Sequence, residues 1–318
     1  MKTQVIKSKV SIIIPYYNGE RFIGEAIMSV LSQTYQNFEI IIVDDGSSNE
    51  SIKSIMPFLN DNRIKLIRHL VNKGIPSARN TGIMNSSGEF ISFLDQDDMW
   101  LPQKLECQVR ILESSDPDLG LVFGDVFLYD GVKYELQKRW TIPKNENINA
   151  LSRKTILGCL FMYNFIPMVT LMTRRECIER IGMLNEKIKG GADDHDWCLR
   201  MASKYKLYYV NAPLAIYRIH DHNYSDPEKM FHDELAIVEE AIKQEPFLIK
   251  LKNKKLGILY YRIGRFYQLN GEFEKAKECL LKAVVYRPVE LKFVLALLSC
   301  YSEYLRSIIS KRKKGKKS

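Results

Sequence analysis

Through the first hundred residues, short apolar runs alternate with amphipathic stretches, and few architectures accept that rhythm. Val10 to Ile14 is an apolar run ending at Pro15. Residues 20–33 then place Phe22, Ile23, Ala26, Ile27, Val30 and Leu31 at helical spacing. Phe38 to Val43 is a second run, closed by Asp44-Asp45-Gly46-Ser47-Ser48. A helix signal over 51–59 and a strand from Ile64 to Ile67 follow. After Gly74 a helix extends to Met84, and the strand Phe90 to Leu94 ends at Asp95. Strands buried on both faces read as apolar runs rather than as alternation. The βαβαβ order therefore predicts an α/β fold, a mostly parallel central sheet flanked by helices. Such sheets bind ligands beyond the carboxyl ends of their strands. The polar clusters of this chain sit at those ends.

The middle of the chain, about 101–225, continues with helix 102–113, strand Leu121 to Leu128 and a polar segment 130–149. Thr155 to Thr173 is free of formal charge and long enough to span a bilayer. Gly158, Asn164 and Pro167 interrupt it, so a buried helix followed by a buried strand is expected. Beyond about 226 the sequence turns to helices rich in Lys and Glu. There Gly264, Tyr267, Gly271, Ala276, Ala283 and Pro288 stand at the spacing of one tetratricopeptide repeat, about 257–290. The expected organisation is an α/β domain over 1–225, a helical extension over 226–310 and a basic tail over 311–318.

Charge narrows the function classes. The formal net charge is +9, but the last eight residues, KRKKGKKS, hold six basic groups. The remaining 310 residues carry +3 (41 basic minus 38 acidic), so the overall basicity gives no case for a nucleic-acid partner. The six cysteines form no CxxC pair and no zinc-like spacing with histidine, which fits reduced thiols in a cytosolic protein. MKTQVIKSKV carries no apolar signal region. Residues 289–309 are apolar around much of a helix but include Glu290, Lys292, Glu303 and Arg306, too polar to span a membrane. Followed by KRKKGKK, that helix either docks peripherally on an anionic leaflet or packs on the extension.

Four ordered motifs carry the chemistry. SIIIPYYNGERFIGEAIMSVLSQTYQNFEIIIVDDGSSNES, NKGIPSARNTGI, GEFISFLDQDDMW and GGADDHDWCLR resemble, in order and at the usual separations, glycosyltransferase family 2. The resemblance covers roughly residues 8–225 and implies a GT-A, Rossmann-like domain. The chemistry is consistent with it. A nucleotide sugar offers a base, a ribose diol, a diphosphate and an electrophilic anomeric carbon; carboxylates accept from diols, and oxygen ligands hold a divalent cation against a diphosphate.

The resemblance implies roles for single residues. Asp97 meets the metal, Mn²⁺ or Mg²⁺, and Asp95, with Gln96 beside it, meets the donor ribose and the metal shell; Asp98 is adjacent. Asp45 contacts the nucleobase edge and Asp44 lies beside the ribose. Pro15 and Tyr17 receive the base at the end of the first strand, Tyr17 by stacking. Arg79 either balances the acidic cluster or meets the diphosphate. An inverting member needs one carboxylate to deprotonate the acceptor hydroxyl. Asp194 is assigned that role, Asp193 being the alternative, with Asp196 orienting its neighbours or capping the helix. Tyr217 to Ser225 resembles the family's Arg-x-His closing segment after a strand, with His220 a further metal ligand. Gln137-Lys138-Arg139-Trp140 resembles the Gln-x-x-Arg-Trp signature of processive synthases, but it is one residue short and precedes Asp194. Single-sugar addition is therefore expected, from a UDP-sugar to a glycan or lipid-linked acceptor in bacterial surface-polysaccharide synthesis, at the cytoplasmic face. The alternative is an inactive scaffold of the same fold that recruits partners, or a second copy, through the helical repeat.

Overall fold

The computed structural model describes residues 8–137, 147–220 and 226–314, with side chains as far as Arg306. Lys138-Arg139-Trp140, His222 and the side chains of the basic tail lie outside the described residues. The chain divides into two units, Met1–Lys189 with Asp193–Tyr224, and Gly190–Ala192 with Ser225–Ser318.

The first unit is built on one sheet. Among the described residues its strands are β1 (Val10–Tyr16), β2 (Phe38–Asp44), β3 (Ile64–Arg68), β4 (Phe90–Phe93), β5 (Met99–Trp100), β6 (Leu119–Tyr129), β7 (Tyr134–Gln137), β8 (Met172–Arg174) and β9 (Lys206–Arg218). The order is β3-β2-β1-β4-β8-β6-β9-β5, with β7 paired to β6. β1 to β4 run parallel, as their apolar runs predict, and all of β1 and β2 is buried. Helices cover both faces. Ile12, Ile14, Ile40 and Ile42 pack with Ile23, Ala26, Ile27 and Val30 of helix Ile23–Leu31. Their neighbours along the strands, Ile41 and Val43, point the other way and meet Ala78 of helix Ile75–Met84.

Three local expectations are corrected. The 51–59 signal is a single turn, Asn49–Ile52, followed by a 3₁₀ segment, Met56–Asn60; Pro57 has no N–H to continue an α-helical ladder. The Thr155–Thr173 stretch gives helix Arg153–Met162, but its strand is only Met172–Arg174, wedged antiparallel between β4 and β6. Tyr217 and Arg218 close β9 instead of following it; β9 is long because it tracks β6 in parallel through bulged register.

One buried cation stands apart from the acidic chemistry. Lys104 is fully buried, its Nζ donating to Ser92 Oγ (2.7 Å) and Gln108 Oε1 (2.8 Å) above the Trp100 ring. Burial pushes its pKa well below the ordinary 10.5. Between that depressed value and 10.5 the unfolded chain binds one more proton, so stability rises with pH across this window. Lys104→Met is expected to flatten that rise by up to about 1.4 kcal/mol per pH unit, read from urea unfolding at stepped pH. An unchanged slope would show that Lys104 stays protonated in the fold.

The second unit is helical: Pro227–Gln244, Ile249–Leu269, Phe273–Tyr286 and Leu291–Lys314. Asp226 caps the first, accepting from the Glu228 (3.2 Å) and Lys229 (3.1 Å) amides, with Pro227 at the first turn. Ile263, Tyr267, Ala276, Leu280, Ala296 and Cys300 form its core. Gly264 permits the close approach of two helices, since a Cβ there would lie 2.8 Å from Leu280 Cγ. At Gly190 a Cβ would lie 2.3 Å from the Met230 amide nitrogen, and Gly190 N–H donates to Asp233 (2.6 Å). No described helix is long and apolar enough to cross a membrane.

Candidate active site

The sheet reverses direction of growth between β1 and β4, and that is where a crevice forms at the strands' carboxyl ends. β1 pairs with β4 only as far as Ile13–Phe93, while its pairing with β2 continues to Tyr16–Asp44. The Ile13 carbonyl faces β4 and accepts from Leu94 N–H (3.1 Å). Pro15, two residues on, faces the same side past the end of that pairing. Its missing N–H therefore costs no ladder bond. Tyr17 is about half exposed at this rim. Gln96, implied as a donor contact, grips the Tyr17 backbone: Tyr17 N–H donates to its Oε1 (2.8 Å) and its Nε2 donates to the Tyr17 carbonyl (3.3 Å). Its amide positions the ring and is not held free for a ligand.

The β2 pair faces inward. Asp44 is fully buried; one oxygen accepts from Ser47 N–H (2.9 Å) and the other lies 3.0 Å from Arg68 Nε. Asp45 accepts from the Lys73 (2.9 Å) and Gly74 (2.8 Å) amides. It also accepts from His69 Nδ1–H (2.6 Å), whose Nε2 meets the Thr81 hydroxyl (2.9 Å). Both carboxylates thus hold the turn after β2 and the 69–74 loop; neither is presented openly to the crevice. Sequence reading missed His69, a lone buried histidine with no motif around it.

The acidic ends of β4 and of helix Asp193–Lys204 come together through Arg79. Its buried guanidinium donates to Asp95 Oδ1 (2.7 Å) and to Asp193 Oδ2 (2.8 Å). Motifs about a hundred residues apart in the sequence share one cation, and Arg79 balances the acidic cluster. Asp193 and Asp194 then differ. Arg79 opposes the rise that burial imposes on Asp193. Asp194 is partly buried, and burial together with the Asp193 charge pushes it up to about 7. The next side chain, His195, is fixed by donating Nε2–H to the Leu160 carbonyl (2.8 Å). Asp196 pairs with Arg200 at 2.9 Å, one helical turn along.

At the end of β9, His220 Nε2 lies 2.8 Å from Asp97 Oδ2. Burial and the nearby Asp95 charge raise the Asp97 carboxyl, and a cation would relieve that repulsion. A carboxylate oxygen beside an imidazole nitrogen suits Mn²⁺ and is tolerable for Mg²⁺. Among the described residues no further His, Cys, Asp or Glu completes a cluster of three, so bound phosphate oxygens and water would fill the remaining positions. Arg218 ties this corner together: its amide donates to Asp98 Oδ1 (2.9 Å), its Nε to the Asp97 carbonyl (3.0 Å) and its Nη2 to Glu25 (2.7 Å). The Arg-x-His pattern marks this segment in the sequence, but Arg218's bracing of the Asp97–Asp98 turn is visible only in the fold.

Comparison with known proteins follows the same lines. Residues 11–170 match Glycosyl transferase family 2. The chain is 36% identical over 151 residues to the UDP-Glc:alpha-D-GlcNAc-diphosphoundecaprenol beta-1,3-glucosyltransferase WfgD of Escherichia coli, a match covering 48% of this chain and 58% of WfgD. It is 33% identical over 222 residues to an uncharacterized glycosyltransferase of Rickettsia prowazekii, covering 69% of this chain and 67% of that one. Among solved structures, Staphylococcus aureus TarS 1-349 in complex with UDP-GlcNAc superposes with a TM-score of 0.67 at 17% identity, over 95% of this chain and 92% of that one. The mannosyltransferase PcManGT from Pyrobaculum calidifontis, in complex with GDP-Man and Mn²⁺, gives 0.56 at 17% identity, over 94% and 87%. At such identity the likeness is one of fold, a GT-A-like sheet with helices after it.

Proposed function

The chain belongs to glycosyltransferase family 2, and from that premise we propose that it is an inverting, metal-dependent transferase that moves one sugar from a UDP-sugar to a hydroxyl of a glycan or lipid-linked acceptor. The observation that carries this reading is the Asp95–Arg79–Asp193 bridge. It sets the donor end of β4 beside the carboxylate pair at 193–194, where inversion requires a base. The UDP assignment draws support from the donors in the names of WfgD and of the TarS complex, and the metal from Mn²⁺ in PcManGT.

The crevice gives each group a task. Tyr17, pinned by Gln96, stacks on the base. Asp45 shapes the base-binding side by holding the 69–74 loop, and Asp95 accepts from the ribose. Asp97 and His220 would hold Mn²⁺ or Mg²⁺, which offsets charge on a departing diphosphate when bound. Asp194 takes the proton from the acceptor hydroxyl as that oxygen attacks the anomeric carbon on the face opposite the diphosphate; a carboxyl raised to about 7 suits that task near neutral pH. Asp193, held by Arg79, keeps the base in place. We read residues 1–225 as the catalytic domain and 226–310 as an extension whose helices Ile249–Leu269 and Phe273–Tyr286 form one tetratricopeptide-like hairpin. The diphosphoundecaprenol acceptor in the name of WfgD supports a lipid-linked acceptor, and we read the setting as surface-polysaccharide assembly at the cytoplasmic face.

Calorimetric titration with UDP, GDP, CDP and TDP, each with Mn²⁺ and with EDTA, tests the reading. UDP is expected to bind with metal and to lose at least about tenfold in affinity with EDTA, since the diphosphate charge then goes unmatched. Equal binding with and without metal would remove Asp97 and His220 from the proposed site. Binding of none would favour the inactive-scaffold alternative.

A further inference from the structure

We propose that helix Leu291–Lys314 carries a docking surface for an anionic lipid bilayer, separate from the proposed transfer chemistry and not dependent on it. The helix has two apolar faces. Phe293, Ala296 and Cys300 form one face, all buried; Ala296 and Cys300 lie in the core with Ile263, Tyr267 and Leu280. On the opposite side Leu291, Leu295, Leu298 and Leu305 recur at helical spacing, each more than half exposed. Val289, in the turn before it, and Val285 and Leu281 of the preceding helix are exposed as well. Scattered surface leucines are ordinary, but four on one helix face, opposite its buried face, mark a surface that meets something.

Charge identifies the occupant. From residue 289 onward the sequence has eight basic groups (Lys292, Arg306, Lys311, Arg312, Lys313, Lys314, Lys316 and Lys317) and two acids. Neither acid lies on the stripe. Glu290 pairs with Arg287 (3.1 Å), and Glu303 accepts from Gln268 on the packed side (3.0 Å). An exposed leucine stripe leading into a basic run fits acyl chains beneath anionic headgroups, the arrangement of a helix lying in the bilayer interface.

Vesicle flotation of the full chain tests the proposal. With phosphatidylcholine vesicles containing about 30% phosphatidylglycerol the chain is expected to float, and with phosphatidylcholine alone to bind at least about tenfold less. Raising salt to about 0.5 M should weaken binding by screening the basic run. Leu295→Gln with Leu298→Gln should lower vesicle binding at least about tenfold by removing apolar area, with the melting temperature falling only slightly because both residues are more than half exposed. No flotation with the anionic vesicles overturns the proposal, as does equal flotation of the double variant. Concentration-dependent dimerisation without vesicles, lost in the double variant, also overturns it and assigns the stripe to a second copy.

Discussion

Asp194→Asn is expected to lower the rate of sugar transfer by about 10²–10⁴ while metal-dependent nucleotide binding stays intact, because asparagine cannot accept the acceptor's proton. The wild-type rate should rise with pH through about 7, where Asp194 ionises, and the variant's residual rate should lose that limb. Stability supplies an independent readout. The Asp194 pKa is raised in the fold from 3.8 to about 7, so the folded protein holds an extra proton between those values and loses stability as pH rises through them. Above 7 the native state carries a disfavoured charge that asparagine removes. Asp194→Asn should therefore melt higher than wild type at pH 8, with the gain shrinking to nothing near pH 4. A variant that keeps its activity would transfer the base role to Asp193. One that melts lower at pH 8 would show that Arg79 and His195 together stabilise the Asp194 charge more than burial and Asp193 disfavour it.

Arg79→Met should be among the most destabilising single changes in the α/β unit, by about 3–5 kcal/mol, since it leaves Asp95 and Asp193 without their buried cation. Equilibrium urea unfolding measures it. The penalty should shrink at low pH, where the abandoned carboxylates take up protons. Arg79→Met combined with Asp193→Asn should recover part of the loss, because two of the groups that Arg79 reconciles then no longer repel. Activity would still be low in the double variant, as Asp95 and the 193–194 turn lose their link. If Arg79→Met cost no more than an ordinary surface change, below about 1 kcal/mol, the bridge would be incidental and the link between donor end and base would need another origin.

The strands β1 to β4, the burial of β1, β2 and β4, and the polar clusters at strand ends were legible residue by residue. A chain segment buried on both faces is apolar at most of its positions, with buried polar exceptions such as Glu39 held by hydrogen bonds, and that signature is local. Helix Ile75–Met84 was expected after Gly74, with its end at Met84. The part of the sheet beyond β4 was less so. β8 is three residues long and held by neighbours from two distant parts of the chain, so no periodicity of its own announces it. β5 has two residues and exists because β9 is there to pair with it.

The site divides in the same way. Which side-chain chemistries are present, and near which strand ends, follows from the sequence, because strands end where apolar runs stop and carboxylates begin. What each carboxylate faces does not. Two adjacent aspartates at 44 and 45 look alike in sequence, yet both turn inward, one to Ser47 and Arg68, the other to His69 and a loop thirty residues away. Asp193 and Asp194 are neighbours of identical type, separated in chemistry because Arg79 donates directly to the first and acts on the second only through space. Charges interact through space and not along the chain, so a carboxylate's partner and its proton affinity are set by where the sheet and helices carry it. The sequence alone determined the scaffold and its stock of acids; only the folded arrangement chose which acid is paired, which is shielded and which is left to take a proton.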